Sequence, residues 1–357
     1  MGLFSVYSAS APEALATSQN SLAIVLKQSV WMVLGLVAML AVGRFPFPSW
    51  ARLAHPMACI AIALLGLTLV TGQVVNGSER WLMLPGGIQF QPSDLAKLSA
   101  VLLLAQVTSQ RSLMRSKLLP LNMGLIMVMV FLIYQQPNLS IAVILSLLSA
   151  VMLFVGGFSL PVLSFVVPII GFGVYQKILD TPYQLRRING WLNPWADPQD
   201  SGYNLIQSLY ALGGGQWFGL GYGHSIQKRH YLPFPYTDFI FSVICEEWGF
   251  IGGVLLLFAI AFLAWRGYHI ATQCTHPFGQ MLAFGITTQL VLQSFINVGV
   301  ATGLLPVTGV TLPFISYGGT SLVVTLVMVG ILLNISRSIA PSASPLRINT
   351  PTLQPAV

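Results

Sequence analysis

Long, almost uncharged stretches of apolar residues dominate this sequence and limit what it can fold into. A helix that crosses a bilayer needs about 20 mainly apolar residues, because about 30 Å of hydrocarbon is spanned at about 1.5 Å per residue. Only 7% of the 357 residues are Asp, Glu, Lys or Arg, against roughly 25% in soluble domains. This composition excludes a soluble enzyme, a disordered chain and a nucleic-acid-binding protein, and it predicts an all-α polytopic membrane protein.

The apolar stretches predict nine membrane spans and an N-terminal half-helix. The first ten residues, MGLFSVYSAS, are apolar but too short to cross a bilayer. We interpret residues 1–338 as one membrane domain, and residues 339–357, which are rich in Pro, Ser and Thr, as a disordered cytoplasmic tail. The predicted spans lie at about 24–43, 56–75, 95–108, 118–135, 139–157, 159–178, 239–265, 281–304 and 313–335.

The charges in the loops predict the orientation of the chain. If the spans alternate in direction, the loops that hold Arg44 and Lys117 fall on one side, and that side carries no acidic residue. The positive-inside rule makes it the cytoplasmic side. The opposite side then carries a shorter loop at about 76–92 and a long one at about 179–237. Because loops longer than 12–15 residues usually have a function, we expect the chemistry on the extracytoplasmic face.

The segment GSERWLMLPGGIQFQPSDLAKL (77–98) offers two cations at this face. Arg80 and Lys97 would present positive charge to an anionic headgroup. A lysine one turn inside a membrane helix is costly unless it reaches the interface or has a partner. The alternative is structural, with Ser93 as the helix N-cap and Asp94 forming a surface ion pair with Lys97 three residues later.

A second group of candidates lies in YTDFIFSVICEEWGFIGG (236–253). Asp238 stands where a span begins, with Thr237 as a possible N-cap. A cap is the simpler interpretation, and a general base at the headgroup level is the functional one. The helix N-terminus would lower the pKa of Asp238 and partial desolvation would raise it. Glu246 and Glu247 lie two turns deeper, and we expect both to be structural residues bonded to other helices.

Two glycine-rich segments complete the candidates. Arg186 and Arg187 precede residues 193–223, which match neither a P-loop nor a dinucleotide-binding fingerprint. This segment is either a compact loop or a substrate cradle in which the arginine pair binds phosphate. Asn297 and Ser316 are supporting candidates in a Pro/Gly-rich stretch whose irregular backbone must be buried in protein or face a cavity.

The histidines show no metal-ligand spacing, so no metal site is predicted. The three cysteines indicate no disulfide framework. The net charge of +7 fits anionic lipid headgroups, an anionic substrate or basic cytoplasmic loops.

Several motifs in the same order resemble the SEDS family (shape, elongation, division and sporulation), whose members FtsW and RodA polymerise peptidoglycan. The resemblance covers nearly the whole chain. Two of the stretches, TGLLPVTG and PFISYGGTSL, are closer to FtsW than to RodA. The motifs are GLFSVYSAS, WLMLPGGIQFQPSDLAKL, GYNLIQSLYALGGGQWFGLGYG, YLPFPYTDFIFSVICEEWGFIGG and NVGVATGLLPVTGVTLPFISYGGTSL.

The resemblance implies a lipid II polymerase. Its acceptor would be the GlcNAc 4-hydroxyl of lipid II, and its donor a glycan linked through pyrophosphate to a polyprenyl lipid. It implies that Asp238, in the TDFIF-type motif, is the general base, and that Lys97 is the lysine of the SELAK-type motif. Lys97 would then bind the pyrophosphate together with Arg80, Arg186 and Arg187, which are assigned by their charge and their side of the membrane more than by motif.

The resemblance also implies a cellular setting. The protein would lie in the bacterial cytoplasmic membrane at the division septum. Its partners would be a class B penicillin-binding transpeptidase and other divisome membrane proteins. No cofactor is predicted, although a divalent cation is compatible with the chemistry.

This chain departs from the family pattern in three places. LPFPYTDF stands where members commonly show LPEAHTDF, so Phe234 and Tyr236 replace an acid and a histidine. QPNLS, with Asn138, replaces an EPDLG-type motif. The family has ten spans, and GLFSVYSAS normally ends the first. The departures near Asp238 keep an inactive divisome scaffold as an alternative. A lipid II flippase is another, because the same headgroup-binding features would serve transport.

Overall fold

The computed structural model of the chain describes residues 1–75, 78–84, 88–110, 117–136, 138–158, 171–173 and 175–339. Its α-helices include α1 (Gly2–Ser18), α2 (Ala23–Val42), α3 (Ser49–Thr71), α4 (Pro92–Thr108), α5 (Leu119–Gln135), α6 (Leu139–Val155), α7 (Pro182–Leu192), α8 (Tyr203–Gly214), α9 (Ile240–Gln273), α10 (Pro277–Ala301) and α11 (Gly319–Ile339). Three short strands are β1 (Gln73–Val75), β2 (Ser78–Leu84) and β3 (Ile88–Phe90).

The helices confirm a polytopic helical membrane protein. Within the described residues, α2, α3, α9, α10 and α11 are long and apolar enough to cross a membrane, and α5 and α6 are shorter apolar helices. The total of nine spans stays a prediction, because most of the expected span at 159–178 lies outside the described residues. The predicted disordered tail after residue 339 lies outside them as well.

The N-terminal helix is longer than the predicted half-helix of ten residues. α1 continues through Pro12 and ends at Ser18. Its first turn packs closely on the segment before α11, since a Cβ atom on Gly2 would lie 2.3 Å from the carbonyl oxygen of Phe314. Val6 and Ala9 are fully buried, so α1 is an integral part of the bundle.

The all-α prediction is incomplete, because three short strands lie in and beside the loop expected at 76–92. There the chain forms an antiparallel sheet in the order β1-β2-β3, with Gln73 paired to Trp81 and Leu82 paired to Phe90. Aromatic and branched residues favour such short extended pairs. The sheet places Arg80 on its central strand.

Helix α4 lies at the centre of the bundle, where it packs against α3, α5, α6 and α10. Successive residues Leu102, Leu103 and Leu104 are all fully buried. A helix that is apolar all around is buried on every side. The site described below is built at one end of this core.

Helix α9 is interrupted at Gly249, whose φ of 70° and ψ of −170° are not helical. Residues 216–221 lie in the gap and pair with the backbone groups that the interruption frees. In a membrane such groups must find partners within the protein. The N–H groups of Leu220 and Gly221 donate to the backbone carbonyls of Glu246 and Glu247 at 2.9 and 3.0 Å. In the other direction, the N–H groups of Phe250 and Ile251 donate to the backbone carbonyls of Gln216 and Trp217 at 2.7 and 3.3 Å.

Candidate active site

Asp238 is half-buried and lies two residues before α9. The prediction that Thr237 caps this helix is wrong, because α9 begins at Ile240 with Phe239 as its N-cap and no side-chain cap bond. Thr237 instead belongs to a tight turn that begins at Phe234, whose φ is 54°. Its N–H and hydroxyl donate to the Phe234 carbonyl at 3.2 and 3.3 Å. The Asp238 carboxylate is therefore outside the helix.

Three consecutive backbone carbonyls hold the chain at Asp238. The carbonyl of residue 236 accepts the N–H of Tyr317 at 2.8 Å. The next carbonyl accepts the Ser316 hydroxyl at 2.6 Å, and that of Asp238 accepts Asn297 Nδ2 at 2.9 Å. These bonds fix the main chain and leave the carboxylate available for chemistry.

Asn297 and Ser316 also organise the irregular segment 302–318 between α10 and α11. Asn297 Nδ2 donates to the Val310 carbonyl at 2.7 Å, and the Ser316 hydroxyl accepts the N–H of Leu312 at 2.8 Å. The predicted irregular backbone is therefore held by the same two side chains that hold Asp238. Their supporting role stays a prediction, and their bonds give it a physical basis.

Gly309 marks a small space shared by Arg80 and Asp238. A Cβ atom on Gly309 would lie 3.5 Å from Arg80 Nη1 and 3.8 Å from Asp238 Oδ2. Both distances are ordinary van der Waals contacts, so the glycine leaves room for about one methyl group beside the cation and the carboxylate. Strand β2 brings Arg80 to this point.

Helix α7 carries a second cation, Arg187, whose charge acts on both Asp238 and Arg80. The guanidinium of Arg187 lies over the Tyr183 ring, 4.4 Å from its centroid, and donates to its hydroxyl. Trp191 Nε1 donates to the Gly303 carbonyl at 2.9 Å, which fastens α7 to segment 302–318. A guanidinium stacked on a ring keeps its outer donors directed and available for an anion.

Burial raises the pKa of Asp238 to about 6, while the charges of Arg187 and Arg80 act to lower it. Of the two opposing effects on this group, desolvation is therefore the larger. Burial also lowers the pKa of Arg80, and the charge of Arg187 adds to that effect. An aspartate whose pKa lies near neutrality is suited to accept a proton at working pH.

The structure does not bring Lys97 to this cluster. Lys97 is buried, and its ammonium lies 2.8 Å from Asp94 Oδ1 and 2.9 Å from Gln293 Oε1. The expected pair with Asp94 is present but is buried, not on the surface. The predicted Ser93 cap is wrong, because α4 begins at Pro92 with Gln91 as its N-cap.

Lys97 is nevertheless linked to segment 302–318 through one intermediate residue. Gln293 Nε2, whose amide oxygen accepts from Lys97, donates to the Thr311 carbonyl at 2.9 Å. Gln293 and Asn297 are four residues apart on α10, so they lie on the same face. The buried ion pair therefore supports segment 302–318 two residues beyond Gly309.

Arg186 also lies apart from the cluster. It is exposed, and its Nη1 is 3.6 Å from Asp200 Oδ2 on an equally exposed side chain. An ion pair in water contributes little to stability. Of the predicted arginines, Arg80 and Arg187 therefore act on Asp238 through their charges. Arg186 instead pairs with Asp200 in the loop after α7.

Glu246 and Glu247 are buried, and both accept hydrogen bonds. The expected bond to another helix is present for Glu247, whereas the partners of Glu246 lie in a loop. Glu246 accepts from the Ser225 hydroxyl and from the N–H of Ile226 at 2.9 Å, both in the loop before α9. Glu247 accepts from Ser8 of α1 and from Lys228 of the loop, at 2.5 and 2.6 Å. The two acids therefore fasten the loop and α1 to α9.

Sequence reasoning missed the roles of Gly309 and Gln293. Gly309 lay within a quoted motif, but nothing in one sequence shows that two charges face a glycine. Tyr183 and Arg187 are four residues apart on one helix, which is a detectable spacing. Among the described residues, no group of three His, Cys, Asp or Glu could hold a metal ion.

The comparisons with known proteins agree with this architecture. The sequence model of the FtsW, RodA and SpoVE family, which is described as a family of cell cycle proteins, matches residues 1–340. Stage V sporulation protein E of Bacillus subtilis (strain 168) is 40% identical over 343 residues, which cover 94% of this chain and 93% of that protein. A protein named probable peptidoglycan glycosyltransferase FtsW, from Aeromonas salmonicida, is 36% identical over 98% of this chain and 90% of its own length.

Two solved structures share the fold. A chain from a peptidoglycan synthase complex described as coordinating polymerization and crosslinking has a TM-score of 0.76 and 32% identity, and it covers 95% of this chain and 97% of its own. The rod shape determining protein RodA of Thermus thermophilus has a TM-score of 0.67 and 30% identity over 95% of each chain. The motifs, the fold and these matches together show that this chain belongs to the FtsW, RodA and SpoVE family of cell cycle proteins.

Proposed function

We propose that this chain is a peptidoglycan glycosyltransferase that polymerises lipid II on the outer face of the bacterial cytoplasmic membrane. Relatives that carry the name probable peptidoglycan glycosyltransferase FtsW support it, including the protein of Escherichia coli at 38% identity over 94% of this chain. The observation that carries the proposal is that the Asp238 carboxylate, with its raised pKa, and the Arg80 guanidinium both lie within 4 Å of the position that a Cβ atom on Gly309 would take.

The reaction follows from the charges around that space. Asp238 takes the proton of the acceptor sugar hydroxyl as its oxygen attacks the anomeric carbon of the donor. The bond from that carbon to the phosphate oxygen breaks, and the lipid pyrophosphate leaves with the bonding electrons. Arg80 and Arg187 stabilise the charge that develops on it. Lys97 supports the segment that shapes the space, and Arg186 contributes little.

The cellular setting is part of the proposal. A solved relative belongs to a peptidoglycan synthase complex, which supports a crosslinking partner for this chain. We assign that partner as a class B penicillin-binding transpeptidase, alongside other divisome membrane proteins at the septum. The relatives named FtsW support a role in division.

The two neighbouring arginines provide a matched test. Arg187→Gln should lower the rate of glycan polymerisation from purified lipid II about 10²-fold, because one donor to the developing charge is lost. Arg186→Gln, at an exposed position paired with Asp200, should stay within about twofold of the parent. Each protein is assayed with its cognate transpeptidase.

Equal effects of the two substitutions would contradict the assigned roles. A parent protein that makes no polymer would overturn the enzyme itself. Transport of lipid II by that protein in reconstituted vesicles would then establish the flippase alternative, and its absence would leave the scaffold.

The raised pKa of Asp238 predicts a pH dependence in the acidic range. A base with a pKa of about 6 is mostly ionised at pH 7 and about one-tenth ionised at pH 5, so kcat/KM should fall about tenfold between these values. Arg187→Gln should move the midpoint upward, because the arginine charge lowers the pKa. Initial rates from pH 4.5 to 8 measure both effects. A flat profile, or a rate that rises toward pH 5, would contradict the assignment of the base.

A further inference from the structure

Tyr236, one of the positions where this chain departs from the family pattern, bonds to an acid on α1. Its hydroxyl donates to Glu13 Oε1 at 3.0 Å, and both side chains are half-buried. Burial, followed by the nearby negative charge of Glu13, raises the pKa of Tyr236. The phenol therefore stays protonated and keeps donating throughout the range in which the protein works.

This bond is one of three attachments at a residue two positions before Asp238. The Tyr236 carbonyl accepts the N–H of Tyr317 at 2.8 Å. The two tyrosine rings meet edge to face, with centroids 5.8 Å apart and an interplanar angle of 76°. The segment that carries Asp238 is therefore held by segment 302–318 on one side and by α1, through the phenol, on the other.

Helix α1 also holds the preceding part of the same loop. Lys228 donates to Ser8 Oγ at 2.7 Å and to Glu247 Oε1 at 2.6 Å. The Tyr222 hydroxyl donates to the Phe4 carbonyl at 2.9 Å. The loop from residue 222 to Asp238 thus rests on α1 along much of its length, and the bond to Glu13 is the attachment closest to the carboxylate in sequence.

We propose that Glu13 and Tyr236 are a pair of positioning residues for the glycosyl transfer proposed above, on which this inference rests. The bond sets the path of the backbone into Asp238, so the carboxylate stands at a fixed distance from the space at Gly309. Proton transfer requires heavy-atom distances of about 2.6–3.2 Å. A misplacement of about 1 Å can cost 10²-fold in rate. Neither residue touches the substrate, and both act through Asp238.

The test is a double-mutant cycle on polymerisation by the full chain with its transpeptidase. Tyr236→Phe and Glu13→Ala should each lower kcat about tenfold and leave KM for lipid II within about twofold, because geometry and not binding is lost. The double variant should be no slower than either single variant. Glu13→Gln keeps an acceptor oxygen and should recover most of kcat. Tyr231→Phe removes the same hydroxyl from an exposed residue of the same loop and should match the parent.

Three results would overturn the inference while leaving the enzyme standing. They are parent-like kcat in Tyr236→Phe, an additive loss of about 100-fold in the double variant, and a loss in Glu13→Ala that Glu13→Gln does not recover. The last result would show that the negative charge of Glu13, and not the hydrogen bond it accepts, is what the reaction needs. A parent protein that makes no polymer would overturn the proposed function, and this inference with it.

Discussion

Replacement of Asp238 by Asn should lower the rate of polymerisation about 10³-fold, within the range that a general base contributes. The amide has nearly the shape of the carboxylate but cannot take the proton of the attacking hydroxyl. The fold should survive, because Asn297 bonds to the backbone carbonyl of residue 238 and not to its side chain. Loss of a half-buried carboxylate whose pKa is raised by burial also removes a desolvation cost. Glycan chain formation from purified lipid II, with elution in detergent as the fold control, measures the effect.

The matched control is Asp180→Asn, at an exposed aspartate before α7. It should polymerise at the parent rate. If Asp238→Asn stayed within about threefold of the parent, another group would have to be the base. The pH dependence expected from Asp238 would then lose its origin too.

Gly309→Ala should lower the activity of the protein while slightly raising its stability. The added methyl would lie at ordinary contact distances from Arg80 Nη1 and Asp238 Oδ2, so it fits without a clash. Gly309 is also not among the glycines with positive φ, so its backbone suits alanine. Such a replacement stabilises a fold by about 0.4–1 kcal/mol, because the unfolded chain loses freedom. The methyl would nevertheless occupy the space into which the reacting hydroxyl must move, and we expect a loss of about 10²-fold in kcat/KM.

Thermal unfolding and polymerisation rates, measured on the same preparation, test this expectation. Gly213→Ala is the control, because a Cβ atom there would meet nothing within 4 Å among the described residues. It should leave the rate unchanged. Full activity of Gly309→Ala would show that the reaction lies elsewhere. Joint loss of activity and of unfolding temperature would indicate a packing role for the glycine.

The helices were the most predictable part of the fold. The runs predicted at 24–43, 118–135 and 139–157 correspond to α2, α5 and α6 with shifts of two residues or fewer at each end. A long apolar run leaves a membrane helix as the main physical solution. The strands were missed because β1 and β3 have only three residues each, and the seven residues of β2, SERWLML, show no alternation of polar and apolar side chains.

The residue types of the site could be predicted from the sequence, but the side chains that each of them contacts could not. Arg186 and Arg187 are adjacent, and successive helical residues differ by about 100° in direction. One therefore joins Asp238 while the other meets Asp200, and the sequence gives no way to choose between them. The bond of Ser8 to Glu247 and that of Tyr236 to Glu13 each join residues more than two hundred positions apart, which local patterns cannot reveal.

The interrupted helix α9 has a consequence for the order in which the chain can be built. A backbone group left without a partner in hydrocarbon costs several kcal/mol, and the interruption at Gly249 frees four of them. Their partners lie in residues 216–221, about 30 positions earlier, and a loop of that length closes at modest entropic cost. During synthesis from the N-terminus, those partners have already been made when residue 246 is added. The interruption can therefore be satisfied as soon as α9 forms, before α10 and α11 have been translated.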